Sequence, residues 1–149
     1  MAERSADWFR QARRDLDSAR AQAASGFCEW ACFISQQASE KALKAALQKL
    51  GAEAWGPSIV DLLRTLREQV GVPDELHASA VNLDRHYIPA RYPNGWAAGS
   101  PADYFTEEDA NAAICHSQAI LRHCEGVLAG PEPAEEPDQA GGGEPEPPA

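Results

Sequence analysis

The chain has 149 residues, enough for one domain with a modest core. Its formal net charge is −10, but residues 131–149 hold six acids and no base. The remainder has 17 acids against 13 bases, a net charge of −4, which argues against broad binding to a nucleic-acid backbone. No stretch approaches the ~18 consecutive apolar residues of a membrane span.

The first two predicted helices cover residues 4–24 and 27–50. In the first, apolar residues recur every three or four positions, as on one helix face: Phe9, Ala12, Leu16, Ala19 and Ala23. The second is apolar over much of its circumference, so we expect it to pack against several neighbours. Ser25-Gly26 joins the two in so short a turn that they should form an antiparallel hairpin.

Two further helices are predicted in the middle of the chain. Residues 58–70 form the third, with Ser58 as its N-cap and Gly71 as its end. Pro73 opens a fourth, shorter helix, because proline fits a first helical turn. The apolar residues of this fourth helix that should face inward are Leu76, Ala80 and Leu83.

The segment 82–109 that follows is the most distinctive part of the sequence. Pro89, Pro93 and Pro101 lack backbone donors, so no regular helix or central strand runs through them. Long loops in small domains are usually functional or disordered, and the aromatic residues here argue against disorder: Tyr87, Tyr92, Trp96, Tyr104 and Phe105. We predict an ordered loop packed on a helical scaffold; the alternative is that Arg91 and the tyrosines only pin the loop in place.

The last predicted helix begins at Thr106, which is followed three positions later by Asp109 as in a capping box, and it ends before Gly130-Pro131. Residues 130–149 are dominated by Pro, Glu and Gly, which predicts a disordered acidic tail after a domain of residues 1–129. No segment alternates with period two. The predicted fold class is therefore all-α: an up-and-down four-helix bundle with a short extra helix and a long ordered loop before the last helix.

A polar row on the second predicted helix includes Lys41 and Lys44. Gln37 lies one helical turn before Lys41, and Glu40 lies one turn before Lys44. The row either forms an exposed seam with a weak ion pair or faces a pocket or a partner helix.

The four cysteines bear on the compartment and on metal binding. The N-terminal residues lack the apolar core of a signal peptide, so we expect free thiols in a reducing cytoplasm. The positions of Cys28, Cys32, Cys115 and Cys124 do not follow a zinc-binding pattern, so no metal and no cofactor is expected. The sequence also lacks a glycine-rich phosphate loop and a serine nucleophile elbow.

The chain resembles the HEPN domain family, named for nucleotide binding in higher eukaryotes and prokaryotes. The resemblance covers about residues 4–128 and depends on three ordered blocks. The first two are residues 8–12 with Asp15-Leu16, and residues 30–33 with 36–45. The third and strongest is residues 83–93 together with 104–110. The relatives that it suggests are stand-alone bacterial members and the C-terminal domain of sacsin.

The resemblance implies a helical bundle that is usually a homodimer. Members are associated with nucleotide binding, or with toxin–antitoxin pairs that include a minimal nucleotidyltransferase. Other members are ribonucleases with an Arg and a His separated by four to six residues; here that spacing after Arg85 reaches Arg91 and not a histidine. A second departure is Gly56-Pro57-Ser58, where relatives often have a His just before the third helix.

These observations lead to a first hypothesis, a non-catalytic module that binds a nucleotide such as ATP or GTP. Its candidate phosphate ligands are Arg85 and Arg91, its stacking surfaces are Tyr87 and Tyr92, and Lys41 and Lys44 could assist. The wide apolar arcs of the first two helices further predict a homodimer.

Two alternatives remain open on the sequence. One is a pure interaction module that docks onto a nucleotidyltransferase or a chaperone. The other is a ribonuclease that pairs Arg85 with His86 or Arg91, although adjacent side chains on a helix diverge by about 100 degrees and do not easily converge on one phosphate. Because the ribonuclease spacing is absent, an enzyme is the less favoured interpretation of the sequence.

Overall fold

The computed structural model describes residues 3–130, so the predicted disordered tail lies outside the described residues except for Gly130. This part of the chain is all-helical and contains no strand, which confirms the predicted fold class. The helices are α1 (Ser5–Ala24), α2 (Cys28–Lys49), α3 (Ile59–Arg67), α4 (Leu76–Asp84), α5 (Pro101–Tyr104) and α6 (Glu107–Ala129), with a 3₁₀ turn at Pro93–Gly95.

Helix α2 is the centre of the bundle, as its wide apolar surface predicts. It packs against α1, α6, α3, α4 and α5. Most of its buried residues are small, and the largest of them are Leu43 and Leu47, which are both fully buried. Small side chains let neighbouring helices approach closely, so the core is built from alanine-rich faces around a few leucines.

Helices α1 and α2 form the predicted antiparallel hairpin. The start of α1 meets the end of α2, where the Arg4 backbone N–H donates to Gln48 Oε1 at 2.8 Å. Further along, Lys41 Nζ of α2 lies 2.6 Å from Asp15 Oδ2 of α1. Gly26 makes the turn with φ +88°, a left-handed conformation that costs glycine little.

A carboxylate at the end of α4 accepts hydrogen bonds from the start of α3. Ser58 caps α3 as predicted, because its hydroxyl accepts from the Asp61 backbone N–H at 3.1 Å. Asp84, at the end of α4, accepts from the backbone N–H groups of Ile59 at 2.5 Å and Val60 at 3.1 Å. It also accepts from the Ser58 hydroxyl at 2.9 Å. These bonds satisfy the free donors at the start of α3 and fix where α4 ends.

Two predicted helix boundaries differ from the structure. Helix α3 ends at Arg67 rather than residue 70, since Gln69 N and Val70 N both donate to Leu66 O in a terminal turn. Helix α4 begins at Leu76 rather than at Pro73. The carbonyl oxygens of Pro73 and Asp74 accept hydrogen bonds from the backbone N–H groups of Leu76 and His77, which form a tighter turn before the helix. Helix ends commonly tighten in this way.

The segment between α4 and α6 is ordered and includes two short helical elements that each begin at a proline. Pro93 opens the 3₁₀ turn and Pro101 opens α5, positions at which a missing N–H costs nothing. Helices α5 and α6 each start with a capping box, formed by Ser100 with Asp103 and by Thr106 with Asp109. The second of these was predicted from the sequence.

Candidate ligand site

A cluster of one arginine and three aromatic rings lies where the segment after α4 meets α2. The guanidinium carbon of Arg91 is 4.4 Å from the ring centroid of Phe33, 4.7 Å from Tyr87 and 4.9 Å from Tyr92. Arg91 Nε donates to the Tyr87 carbonyl at 2.8 Å. These four residues are called the arginine–aromatic cluster below. Within residues 3–130 no hydrogen bond involves the two terminal amines of Arg91, so they remain available to a ligand.

The cluster extends along α2 to a further ring. Trp30 packs edge-on against Phe33 with a centroid distance of 6.0 Å, and Phe33 lies 6.2 Å from Tyr87. Trp30 and Tyr92 are 42% and 47% exposed, which leaves part of each ring open to solvent. Sequence reasoning did not place Phe33 in the site. The signal that could have indicated it was the apolar pair Trp30 and Phe33, because the other apolar residues of this helix already form a buried face and leave these two rings outside it.

The second half of the loop is a self-packed aromatic stack that supports the cluster. Trp96 stacks on Tyr104 with a centroid distance of 4.0 Å and lies edge-on to Phe105 at 5.7 Å. Its indole N–H donates to the Pro89 carbonyl at 2.8 Å, which ties the stack to the chain just before Arg91. Gly95 passes so close to Pro89 that a Cβ there would lie 3.2 Å from the proline Cα.

The side chains of Arg85 and His86 lie in different environments. Arg85 is exposed, whereas His86 is buried and packs edge-on against Phe105 at 5.6 Å. Burial lowers the pKa of His86 to about 4, although the nearby Asp109 acts in the opposite direction. Both ring nitrogens lack a hydrogen-bond partner within the described part of the chain. The exposed guanidinium of Arg85 and the neutral, buried imidazole of His86 therefore do not form a converging pair.

The lysines of the polar row on α2 are held by carboxylates. Lys41 Nζ pairs with Asp15 at 2.6 Å, and Lys44 Nζ pairs with Glu40 at 2.8 Å, one helical turn away. The Glu40 pair is the weak i,i+4 contact that the sequence allowed. The ring and hydrogen-bond contacts of Arg91 involve neither lysine.

The described residues offer no arrangement for a metal ion. Nowhere in residues 3–130 do three or more His, Cys, Asp or Glu side chains group together as metal ligands would. Burial raises the pKa of the Cys32 thiol to about 12, so this cysteine stays protonated. In the same part of the chain, no helix is both long and apolar enough to cross a membrane.

The sequence and the fold are both similar to those of known proteins. The model of the family described as HEPN domain matches residues 5–127. No curated protein matches the chain.

Three solved structures are similar over nearly their whole length. TT1696 from Thermus thermophilus is 43% identical with a TM-score of 0.82, covering 85% of this chain and 100% of its own. ST0689, an archaeal HEPN homologue, is 39% identical with a TM-score of 0.73, and the alignment covers 85% and 99%. The HEPN domain protein tm0613 from Thermotoga maritima is 36% identical with a TM-score of 0.68, and the alignment covers 83% and 98%.

Proposed function

Because the chain belongs to the HEPN domain family, we propose that it is a non-catalytic module that binds a nucleotide through the arginine–aromatic cluster. Arg91 would hold the phosphates, and Tyr87 and Tyr92 would face the base. ATP and GTP are the ligands to test first. The observation that carries this proposal is the state of Arg91, whose face is packed on rings while its two terminal amines are free within the described residues.

The geometry of Arg91 suits a phosphate for a physical reason. Rings on its faces exclude water and hold the guanidinium in one orientation, so little side-chain entropy is lost when an anion arrives. The two terminal amines can then bind two phosphate oxygens in a bidentate fork. The exposed ring of Tyr92 offers stacking surface to a base.

The other candidate residues take smaller parts in this proposal. Arg85 is exposed, and the described residues provide it with no ion pair, so it would be free to act as a second phosphate ligand. Lys41 and Lys44 would first have to leave Asp15 and Glu40, so we expect them to contribute least.

Calorimetric titration with ATP and GTP tests the proposal, at about 0.1 mM protein so that roughly micromolar binding is detected. Inorganic triphosphate and adenosine, titrated separately, divide the phosphate contribution from the stacking contribution. Arg91→Lys keeps the charge but loses the planar fork, and we expect about tenfold weaker binding. The matched control is Arg14→Lys, which makes the same exchange at an exposed arginine of α1.

Two results would contradict this function. Absence of heat with both nucleotides is the first. The second is an Arg91→Ala variant that melts at a lower temperature while retaining the affinity of the unchanged protein, which would mean that Arg91 only pins the loop. The protein would then be a pure interaction module.

A specific observation also favours a homodimer. Large apolar side chains remain exposed at the start of α2 and in the segment after α4: Phe27, Trp30 and Ile88. Such surfaces usually bind a partner, and a two-fold dimer satisfies one patch with itself. We infer a homodimer through this surface, which would bring two copies of Arg91 to one cleft.

Sedimentation equilibrium of the full chain tests the dimer. Trp30→Glu should shift the protein to the monomer mass, whereas Trp55→Glu, at a tryptophan that is 76% exposed on another part of the surface, should not. A monomer at high micromolar concentration without any substitution would end the dimer proposal. The same surface would then be assigned to a different partner, such as a minimal nucleotidyltransferase or a chaperone.

A further inference from the structure

Two adjoining grooves run around the first turns of α1, and their lining includes none of the proposed nucleotide ligands except Lys41. The first has a volume of about 440 Å³ and includes Phe9, Arg10, Lys49 and Leu128, so it is formed by the start of α1 and the ends of α2 and α6. The second has a volume of about 480 Å³ and shares Arg10 with the first. Together they are called the α1 groove below.

The α1 groove is basic in a chain that is otherwise acidic. It is lined by two acids, Glu3 and Asp7, and by five bases: Arg4, Arg10, Arg13, Lys41 and Lys49. Several of these bases form ion pairs, but pairs such as Arg10 with Asp7 are exposed and i,i+3. Exposed pairs contribute little, so Arg4, Arg10 and Arg13 can exchange their partners, whereas Lys41 stays paired with the half-buried Asp15. Lys49 makes no ion pair within residues 3–130.

The groove also has an aromatic wall. Trp8 lines its second part and is 38% exposed, and Phe9 lines the first part. Flat aromatic surfaces between basic residues fit an extended chain that is rich in both prolines and carboxylates, because proline rings pack on indole faces.

The chain itself contains a segment of that composition directly after α6 in the sequence. Residues 131–149 hold six acids, six prolines and no base. They follow directly on α6, whose Leu128 lines the groove. We propose that residues 131–149 of the same chain bind in the α1 groove in extended form, with their carboxylates beside Arg10 and Lys49 and their prolines against Trp8.

Length and tethering both favour this occupant. Four of the six acids fall within residues 132–138, so an extended chain places all of them within about 25 Å of the end of α6. Arg4 to Arg13 spans about 14 Å along α1, within that reach. A tethered segment has an effective concentration of order millimolar, so weak ion pairs suffice. The bound segment would exclude other polyanions from the groove.

Zero-length carbodiimide cross-linking of the full chain tests this proposal, because the three lysines of the sequence all lie on α2: Lys41, Lys44 and Lys49. We expect amide cross-links from Lys49 to acids within residues 132–138, located by fragment mass spectrometry. They should be lost in about 1 M salt, where the screening length falls to about 3 Å. The pairs Lys41–Asp15 and Lys44–Glu40 are internal controls for reagent activity.

A mixture of ¹⁴N- and ¹⁵N-labelled protein identifies which chain supplies the segment. Cross-links within one isotope support the proposal, and mixed-isotope cross-links overturn it in favour of a second copy. Absence of cross-links to the segment, while the internal controls form, also overturns it.

A matched pair of variants provides an independent test. Arg10→Glu should lower the yield of cross-links to the segment about threefold. Arg64→Glu should leave the yield unchanged, since Arg64 has the same exposed i,i+3 pairing, with Asp61, but lies on α3. Equal loss in both variants would overturn the assignment to the α1 groove.

Discussion

Helix α2 and the segment from Arg85 to Phe105 bury their side chains in opposite ways. The buried residues of α2 are mostly small, and most of them are fully inaccessible. The segment instead uses large rings that stay partly exposed and are fixed by stacking and by backbone acceptors, as Trp96 is by Tyr104 and Pro89. The α2 core therefore contributes most of the fully buried packing of the fold, while the segment keeps part of its ring surface in contact with solvent.

The first prediction tests where stability resides. Leu43→Ala removes a fully buried side chain of α2 and should reduce the free energy of unfolding by roughly 2–5 kcal/mol. Leu128→Ala makes the same change at a half-buried position of α6 and should cost much less. Urea denaturation measures both. Equal losses would mean that the centre of the bundle is no better packed than its end.

The second prediction concerns the aromatic stack. Trp96→Ala removes the contacts with Tyr104 and Phe105 and the bond to Pro89, and should cost roughly 2–3 kcal/mol. Hydrogen exchange should accelerate in residues 85–105 more than in α2. Trp55→Ala, at a largely exposed tryptophan, is the control and should change neither quantity. Uniform acceleration through α2 would contradict the separation of the two regions.

The third prediction uses pH. Burial lowers the pKa of His86 in the folded protein from 6.5 to about 4, so the unfolded chain binds this proton more readily. The contribution of this histidine to the free energy of unfolding is therefore fully present above about pH 6.5 and is lost as the pH falls toward 4, by roughly 2–3 kcal/mol. His86→Gln should reduce this loss in urea titrations between pH 7.5 and 4.5. Burial also lowers the pKa of His123, so a part of the loss should remain.

The fourth and smallest effect concerns the joint between the regions. Asp84→Asn weakens the bonds to the start of α3 and should cost about 1 kcal/mol. Asp74→Asn is the control, because Asp74 is almost fully exposed in its pair with Arg67. Thermal unfolding of the two variants compares them. A larger loss for Asp74→Asn would mean that Asp84 does not hold the joint.

The sequence predicted features that depend on near neighbours. The Ser58 cap, the Thr106–Asp109 capping box and the turn at Gly26 each involve residues within a few positions, so local patterns identified them. The start of α4 was placed at Pro73 and not at Leu76, because propensity does not show how a terminal turn tightens.

The candidate site was only partly predictable, because local sequence patterns identify near neighbours in the chain and not contacts between distant elements. Tyr87, Arg91 and Tyr92 lie within six positions and could be grouped by composition. Phe33 joins them from α2 through the packing of the bundle, which no local pattern encodes. The pairing of Lys41 with Asp15 likewise crosses from α2 to α1, so the sequence could not show that this lysine is engaged.

The Asp84 carboxylate gives the protein a built-in reporter. Asp84 directly precedes the segment that holds Arg91, and its two oxygens are bonded to the amides of Ile59 and Val60. Those amide resonances therefore sense any displacement of the start of the segment, although neither residue belongs to the arginine–aromatic cluster. Two backbone signals on α3 can thus report, in spectra of ¹⁵N-labelled protein, whether the proposed ligand displaces the segment, without a substitution near the cluster.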